Sequence, residues 1–299
     1  MLAIVIPYHK LLFFEKTLRS LSNQTDKRFK VYIGDDASPE NPYSLLQKYK
    51  DSVDFIYHRF EDNLGSISLT KHWGRCIDLI NAEEWLMILG DDDVLGNNVV
   101  EVFYNNIKSI NSKKISVIRY SSQIIEETDV NLSQVFKNPE LEMAAKSFWR
   151  KHRGKTRSSL SEYVFKKDQY LKYNFRNYPL GWCSDDMAWL EFSNYNYIYS
   201  INKAIIFIRE TSSSISGKKD NLRLKKEAEL SFFLDIVKNK LSMFKRENQI
   251  ELLMSTELLL KRKIKLTNKE WGYFARGYLA TFSLIANLKF IRRYFKRNS

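Results

Sequence analysis

The sequence predicts an α/β fold, a mostly parallel central sheet flanked by helices, followed by a C-terminal helical region. Three observations carry this. Strand-like and helix-like segments alternate four times in the first 120 residues, the pattern of a parallel sheet with helices on both faces. Two acidic clusters, Asp35-Asp36 and Asp91-Asp92-Asp93, stand where strands end. From Leu222 onward the apolar spacing is helical only.

Leu2 to Pro7 is a continuous apolar run, as in a strand buried on both faces. Phe13 to Leu21 carries Phe14, Leu18 and Leu21 at helical spacing. Phe29 to Ile33 is a second β-rich run and leads into Gly34-Asp35-Asp36. Tyr43 to Tyr49 reads as helix, Val53 to Tyr57 as strand and Ser68 to Ile80 as helix. Glu84 to Leu89 is a strand that runs into the acidic triplet, Val99 to Ile110 a helix and Ile115 to Tyr120 a strand. Between Ser121 and Phe175 the periodicity is weaker, and Arg150 to Arg157 reads as a basic loop, either simply solvated or a clamp for a diphosphate or an anionic acceptor. Leu230 to Leu241, Gln249 to Lys261 and Trp271 to Leu288 read as helices. The expected division is 1–221, with a nucleotide half over about 1–120 and an acceptor half over about 121–221, and then 222–299.

Composition excludes several classes. Two cysteines, Cys76 and Cys183, allow no disulfide framework and no cysteine-based zinc cluster, and they fit a reducing, cytoplasmic compartment. The N-terminus lacks the charged segment and small-residue cleavage site of a secretory signal. No apolar run reaches the roughly 18–20 residues that span a bilayer. The formal charge is +13, of which a surplus of 11 (18 Lys and Arg against 7 Asp and Glu) lies from Leu222 to the end. A basic tail is expected to meet an anionic partner or to be a solvated face. A nucleic-acid-binding role is disfavoured, because carboxylates clustered at strand ends repel phosphate.

In open α/β sheets, ligands bind beyond the carboxyl ends of the strands, where both acidic clusters fall. Three adjacent carboxylates oppose one another's ionisation, and a bound cation removes that penalty. Oxygen donors select Mg²⁺ or Mn²⁺, held by one or two carboxylates and by substrate phosphates. Asp91 and Asp93 are the expected ligands. The turn after the first strand, Pro7-Tyr-His-Lys10, has no glycine, which excludes a dinucleotide fingerprint or a P-loop there.

The order IVIPYHK, KVYIGDDAS, NLGSISLTKHWG, LGDDDVL resembles the family 2 glycosyltransferases of the GT-A fold, inverting and bacterial in type. The resemblance covers about the first hundred residues. It implies that Pro7 and Tyr8 flank the base of a nucleotide sugar and that Asp35 or Asp36 bonds it. It also implies that Asp91, Asp92 and Asp93 serve the ribose and the metal, with Asp93 the first choice for metal. The usual family motif is Asp-x-Asp-Asp, and Gly90 stands at its first position. Asn63, Gly65 and Lys71 resemble the family's loop and helix start, where Lys71 and His72 replace Arg-Asn. The family's general base corresponds to Asp185 in Gly181-Trp-Cys-Ser-Asp-Asp-Met-Ala-Trp189, with Asp186 the neighbouring alternative; as a purely structural feature, the pair reads as an acidic helix start capped by Ser184. Phe207 to Ser216 resembles an Arg-x-His segment in which Glu210 and Thr211 replace the His, so no third metal ligand is expected there.

The expected activity is inverting transfer of a hexosyl or N-acetylhexosaminyl group from a UDP-sugar to a saccharide or lipid-linked acceptor in surface polysaccharide synthesis. A nucleotidyltransferase of related architecture is the alternative, distinguished by release of pyrophosphate. Trp271 to Phe295 carries an apolar stripe followed by Lys289, Arg292, Arg293, Lys296 and Arg297. Such a helix is expected to lie on an anionic membrane surface, or to pack on the protein itself.

Overall fold

The computed structural model describes residues 1–212, 214–261 and 266–296. The chain forms two compact units, Met1–Leu222 and Arg223–Ser299.

The first unit is built on one mixed sheet. Its strands are β1 (Leu2–Tyr8), β2 (Phe29–Asp35), β3 (Phe55–Arg59), β4 (Trp85–Ile88), β5 (Val94–Leu95), β6 (Val117–Ile125), β7 (Leu141–Met143), β8 (Tyr163–Lys166) and β9 (Tyr197–Arg209). The order is β3-β2-β1-β4-β8-β6-β9-β5, with β7 beside β9. Strands β1 to β4 are parallel, as the alternation predicts. Leu2 to Ile6 are wholly buried, because helices cover both faces of this half.

Strand β8 enters antiparallel between β4 and β6. The short run Tyr163–Lys166 carries no period of its own, and only pairing identifies it. Antiparallel pairing also brings Val94 of β5 opposite Phe207 of β9, which carries the end of β9 to the acidic triplet.

The helices of this unit are α1 (Phe14–Ser22), α2 (Tyr43–Tyr49), α3 (Leu69–Ile77), α4 (Val99–Ser112), α5 (Ala144–His152), α6 (Lys167–Tyr173) and α7 (Ser184–Phe192). The expected basic loop therefore begins inside a helix: Arg150, Lys151 and His152 form the last turn of α5, where cations suit the helix dipole. Arg150 reaches Glu142 at 2.8 Å, and the same buried Glu142 meets Arg119 of β6 at 3.1 Å. Arg157 bonds Ser122 and lies 3.7 Å from Glu162. Arg150 and Arg157 thus hold α5 and its following loop against the sheet.

The second unit contains α8 (Leu222–Asp235), α9 (Arg246–Lys261), α10 (Asn268–Ala280) and α11 (Leu284–Phe295). Its core includes Leu252, Leu253, Phe274, Tyr278 and Phe290. A methyl group at Gly277 would meet a Leu253 methyl at 2.6 Å, so α9 and α10 pack at glycine distance. The buried Glu257 is neutralised by Arg293 at 2.8 Å and Lys261 at 3.3 Å.

The single helix expected over Trp271 to Leu288 is instead two. Phe282 adopts φ +50°, and Ser283 starts α11 by accepting the N–H of Ala286. The hydroxyl of Thr281 donates to the carbonyl of Tyr278 at 2.7 Å. Thr and Ser compete locally for the backbone, which favours a break at this point. The apolar stripe is divided accordingly. Trp271, Phe274, Tyr278 and Phe290 are buried, while Phe282, Ile285, Leu288, Ile291 and Phe295 are exposed.

Candidate active site

The carboxyl ends of β1, β2 and β4 come together as expected. Tyr8 pairs with Asp35 in register, and the amide of Asp36 donates to the carbonyl of Tyr8 at 3.0 Å. The amides of His9 and Lys10 both donate to Asp91 Oδ2 at 2.8 Å, joining the end of β1 to the triplet after β4.

Behind this crest the two carboxylates of β2 have protein partners. Asp35 is fully buried; it accepts from the Ser38 amide, the Tyr57 hydroxyl at 2.5 Å and Arg59 at 2.8 Å. Asp36 accepts from the Gly65 amide at 2.9 Å and is paired with Arg75 of α3. A side chain at Gly65 would strike Asp36 Oδ2 at 2.4 Å, so the close approach requires glycine. Asn63 Oδ1 accepts from the Ser66 amide and shapes the same loop.

His72 is buried beside Asp36, and burial pushes its pKa down to about 4, so it is neutral and accepts from Arg75 Nε at 3.1 Å. Lys71, the neighbouring cation, is exposed at the start of α3. Pro7 is half-buried. Tyr8 corrects an expectation: its ring is wholly buried against Phe14, centroids 4.7 Å apart, and its hydroxyl donates to the carbonyl of Glu40, so it offers no face to a base.

The triplet is held from three sides. The Thr17 hydroxyl of α1 contacts the carbonyls of Asp91 at 3.1 Å and Asp93 at 2.8 Å. Ser161 accepts from the Gly90 amide and bonds the carboxylate of Asp93. From the end of β9, the Arg209 amide donates to Asp93 Oδ1 at 2.8 Å and its Nε donates to the carbonyl of Asp92 at 2.9 Å. Its guanidinium, buried with the rest of the side chain, also reaches Asp129 at 2.6 Å.

Gly90 leaves room beside the triplet. A Cβ there would lie 2.9 Å from Asp93 Oδ2 and 3.0 Å from Asp92 Oδ1. The carboxylates of Asp92 and Asp93 therefore both lie close to the Gly90 backbone. Burial first, then mutual repulsion, raises the Asp92 carboxyl well above its ordinary pKa; burial also raises those of Asp91 and Asp93. Among the described residues no three acidic, His or Cys side chains form a self-sufficient metal site. Two converging carboxylates with the remaining positions left to phosphate suit a hard divalent ion, so the donor set fits Mg²⁺ or Mn²⁺.

The acidic pair Asp185-Asp186 occupies the first turn of α7. The approach to it is unusual backbone: Leu180, Gly181 and Cys183 have φ of 60°, 63° and 64°, a conformation that costs a non-glycine residue of order 1–3 kcal/mol and clusters at functional sites. This segment is anchored to α3. Ser68 and Thr70 both donate to Asn177 Oδ1, at 2.7 and 2.9 Å, and Gly181 sits against Trp73. Ser184 lies inside the helix and makes no capping bond; Cys183 takes the cap position.

Asp185 is half-buried, and desolvation followed by the charge of Asp186 pushes its pKa up to about 7, against a lowering by Lys151. Lys151 Nζ lies 2.6 Å from both oxygens of Asp186. Asp185 and Asp186, equivalent by composition, thus have different surroundings. Lys151, Arg75 and Arg209 were not singled out as site residues from sequence. Lys151 sat within a basic run and Arg209 beside the missing His, and only pairing across the fold distinguishes them.

A sheet with carboxylates gathered at the ends of its parallel strands, continued by a mixed half carrying a second acidic pair, is the GT-A architecture of nucleotide-sugar enzymes. The chain belongs to glycosyl transferase family 2, whose model matches residues 3–196, and it is a glycosyltransferase. It is similar in fold to the crystal structure of S. aureus TarS 1-349 in complex with UDP-GlcNAc, at 12% identity and TM-score 0.62, over 94% of this chain and 80% of that one. The crystal structure of S. aureus TarS matches at 12% identity and TM-score 0.61, over 95% and 50% of the respective chains. The TarS 1-349 complex with UDP matches at 11% and TM-score 0.56, over 100% and 92%. Among curated proteins none matches the chain.

Proposed function

We propose that this glycosyltransferase moves a sugar, with inversion, from a UDP-sugar to a hydroxyl of a saccharide or lipid-linked acceptor in surface polysaccharide synthesis, with Asp185 as general base. The observation that carries this reading is the pair of unequal carboxylates at the start of α7. One is locked to a lysine, and the other is desolvated and tuned to about 7, where a base both accepts a proton and is substantially ionised near neutral pH. The likeness to a protein crystallised with UDP-GlcNAc and with UDP supports the choice of donor.

The chain's own residues then divide the work. Pro7 and the loop of Asn63 and Gly65 frame the nucleotide, Asp35 and Asp36, buried behind them, hold that frame through Arg59, Gly65 and Arg75, and Lys71 places a cation beside it. Asp93 would hold Mn²⁺ or Mg²⁺; Asp91, the second ligand expected from sequence, already accepts from the amides of His9 and Lys10, and Asp92, whose carboxylate lies close to that of Asp93, takes its place in this proposal. When bound, that ion supplies Lewis-acid stabilisation of the departing diphosphate. Asp185 takes the proton of the acceptor hydroxyl as its oxygen attacks the anomeric carbon. The first unit is read as the catalytic region and the second as a basic helical region.

A panel of nucleotide sugars with Mn²⁺ tests the reaction. UDP-sugars are expected to raise the melting temperature and to release UDP slowly by hydrolysis. Release of pyrophosphate from a nucleoside triphosphate and a sugar phosphate would make the protein a nucleotidyltransferase instead.

The second unit supports a partner. No helix among the described residues is long and apolar enough to cross a membrane. The exposed face of α11, with Ile285, Leu288, Ile291 and Phe295, is bordered by exposed Lys289, Arg292 and Lys296. Arg293 is taken by Glu257, and Arg297 lies outside the described residues. Apolar residues rimmed by cations match an anionic lipid surface, where each cation contributes about 1 kcal/mol. The full chain is expected to sediment with phosphatidylglycerol vesicles at low salt, and the variant with Lys289, Arg292 and Lys296 all changed to Gln to do so much less. Equal partitioning of the two, or concentration-dependent dimerisation through this face, would remove the membrane assignment.

A further inference from the structure

We propose that Lys151 is a positioning residue for transfer: its ammonium binds both oxygens of Asp186, cancels that charge beside Asp185, and so leaves Asp185 as the member of the pair that accepts the proton. This rests on the reading of Asp185 as base.

The geometry is specific. Lys151 lies in the last turn of α5, and its Nζ is 2.6 Å from Asp186 Oδ1 and 2.6 Å from Oδ2. Asp186 is buried and Lys151 half-buried, so water screens the pair less than it would at an exposed site. The two line a cavity with Arg157, Tyr163 and Trp189. Burial works against the Lys151 ammonium, but the carboxylates of Asp186 and Asp185 outweigh it and raise its pKa, so it stays charged across the neutral range.

The place of Lys151 is fixed from behind by Arg150, one residue earlier, which grips Glu142 of β7 while Glu142 also holds Arg119 of β6. The other charged group on α7, Glu191, lies in its last turn and pairs with Arg176, and Lys172 of α6 reaches Asn194 beyond the helix end. Cys183, before the helix, bears on Lys151. The largest charge effects on Asp185 come from Asp186, which raises its pKa, and Lys151, which lowers it.

Carboxyl-carbon NMR titration of the full chain labelled with [4-¹³C]aspartate tests this without a known acceptor, with Asp185→Asn assigning the signal. The Asp185 midpoint is expected near 7. In Lys151→Met it should rise by about 1 unit or more, the usual scale of a lost opposite charge. In Lys151→Arg it should stay near the wild-type value, and in Asp186→Asn, which leaves the cation alone, it should fall. The double variant Lys151→Met, Asp186→Asn should return toward wild type. If Lys151→Met folds and the midpoint does not move, the proposal is overturned. If that variant does not fold, an unmoved midpoint in Asp186→Asn overturns it equally. A titration that behaves as expected while Asp185→Asn retains full turnover would instead remove the base assignment and leave the pair's electrostatic role standing.

Discussion

Asp185→Asn is expected to slow sugar transfer by about 10²–10⁴-fold, the scale of a lost general base, while leaving donor binding intact. The substitution keeps the shape of the side chain and removes only its ability to take a proton. Transfer by the wild type should rise with pH through about 7, because the base must be unprotonated, and the residual rate of the variant should lose that limb. Unfolding does not explain such a loss. The folded pKa of Asp185 lies above its ordinary value of 3.8, so the ionised carboxylate costs stability, a cost that grows as pH rises from about 4 through about 7. Replacing it by a neutral amide should leave the melting temperature at neutral pH unchanged or higher. Asp186→Asn is expected to cost less activity. Loss of UDP binding in Asp185→Asn, seen by calorimetry, would move Asp185 into the nucleotide pocket.

Asp93→Asn is expected to abolish the Mn²⁺-dependent part of UDP binding. At 100 times its dissociation constant a ligand stabilises the folded state by about 2.7 kcal/mol, and in the variant the share that depends on Mn²⁺ should vanish from the melting temperature. Free Mn²⁺ measured by electron paramagnetic resonance gives a second readout that needs no turnover. The fold should survive, because Asn retains an oxygen to accept from the Arg209 amide, now at 2.8 Å from Asp93 Oδ1. Asp91→Asn should do less to the ion, since Asp91 Oδ2 already serves the amides of His9 and Lys10. Unchanged Mn²⁺ uptake with UDP in Asp93→Asn would leave the triplet a turn and nothing more.

The crest was legible in the sequence because its signals are local. A β-strand buried on both faces must be apolar throughout, and the chain must then return to solvent, so Leu2–Tyr8 and Phe29–Asp35 end on polar residues and Trp85–Ile88 leads through Leu89 and Gly90 to the acidic triplet. Helices on both faces then force parallel order, and Asp35, Asp36 and Asp91 to Asp93 must gather at one edge. Tyr8 shows the limit of this reasoning. Its position at the strand end was right, but which face its ring takes depends on Phe14, a residue of the next element.

What the sequence by itself determined is the α/β class, the sheet edge that carries the carboxylates and the helical character of the C-terminal part, all consequences of local apolar period and strand termination. Tertiary structure alone decided the rest. Antiparallel β8 between β4 and β6, Arg209 behind Asp93, Lys151 on Asp186 and the break at Phe282 each involve groups whose partners lie far along the chain or whose backbone competes with a helix. Two adjacent aspartates have one composition and one local propensity. They become different acids only when burial and a lysine from another helix act on one more than the other, and desolvation and charge at that range are properties of the folded molecule.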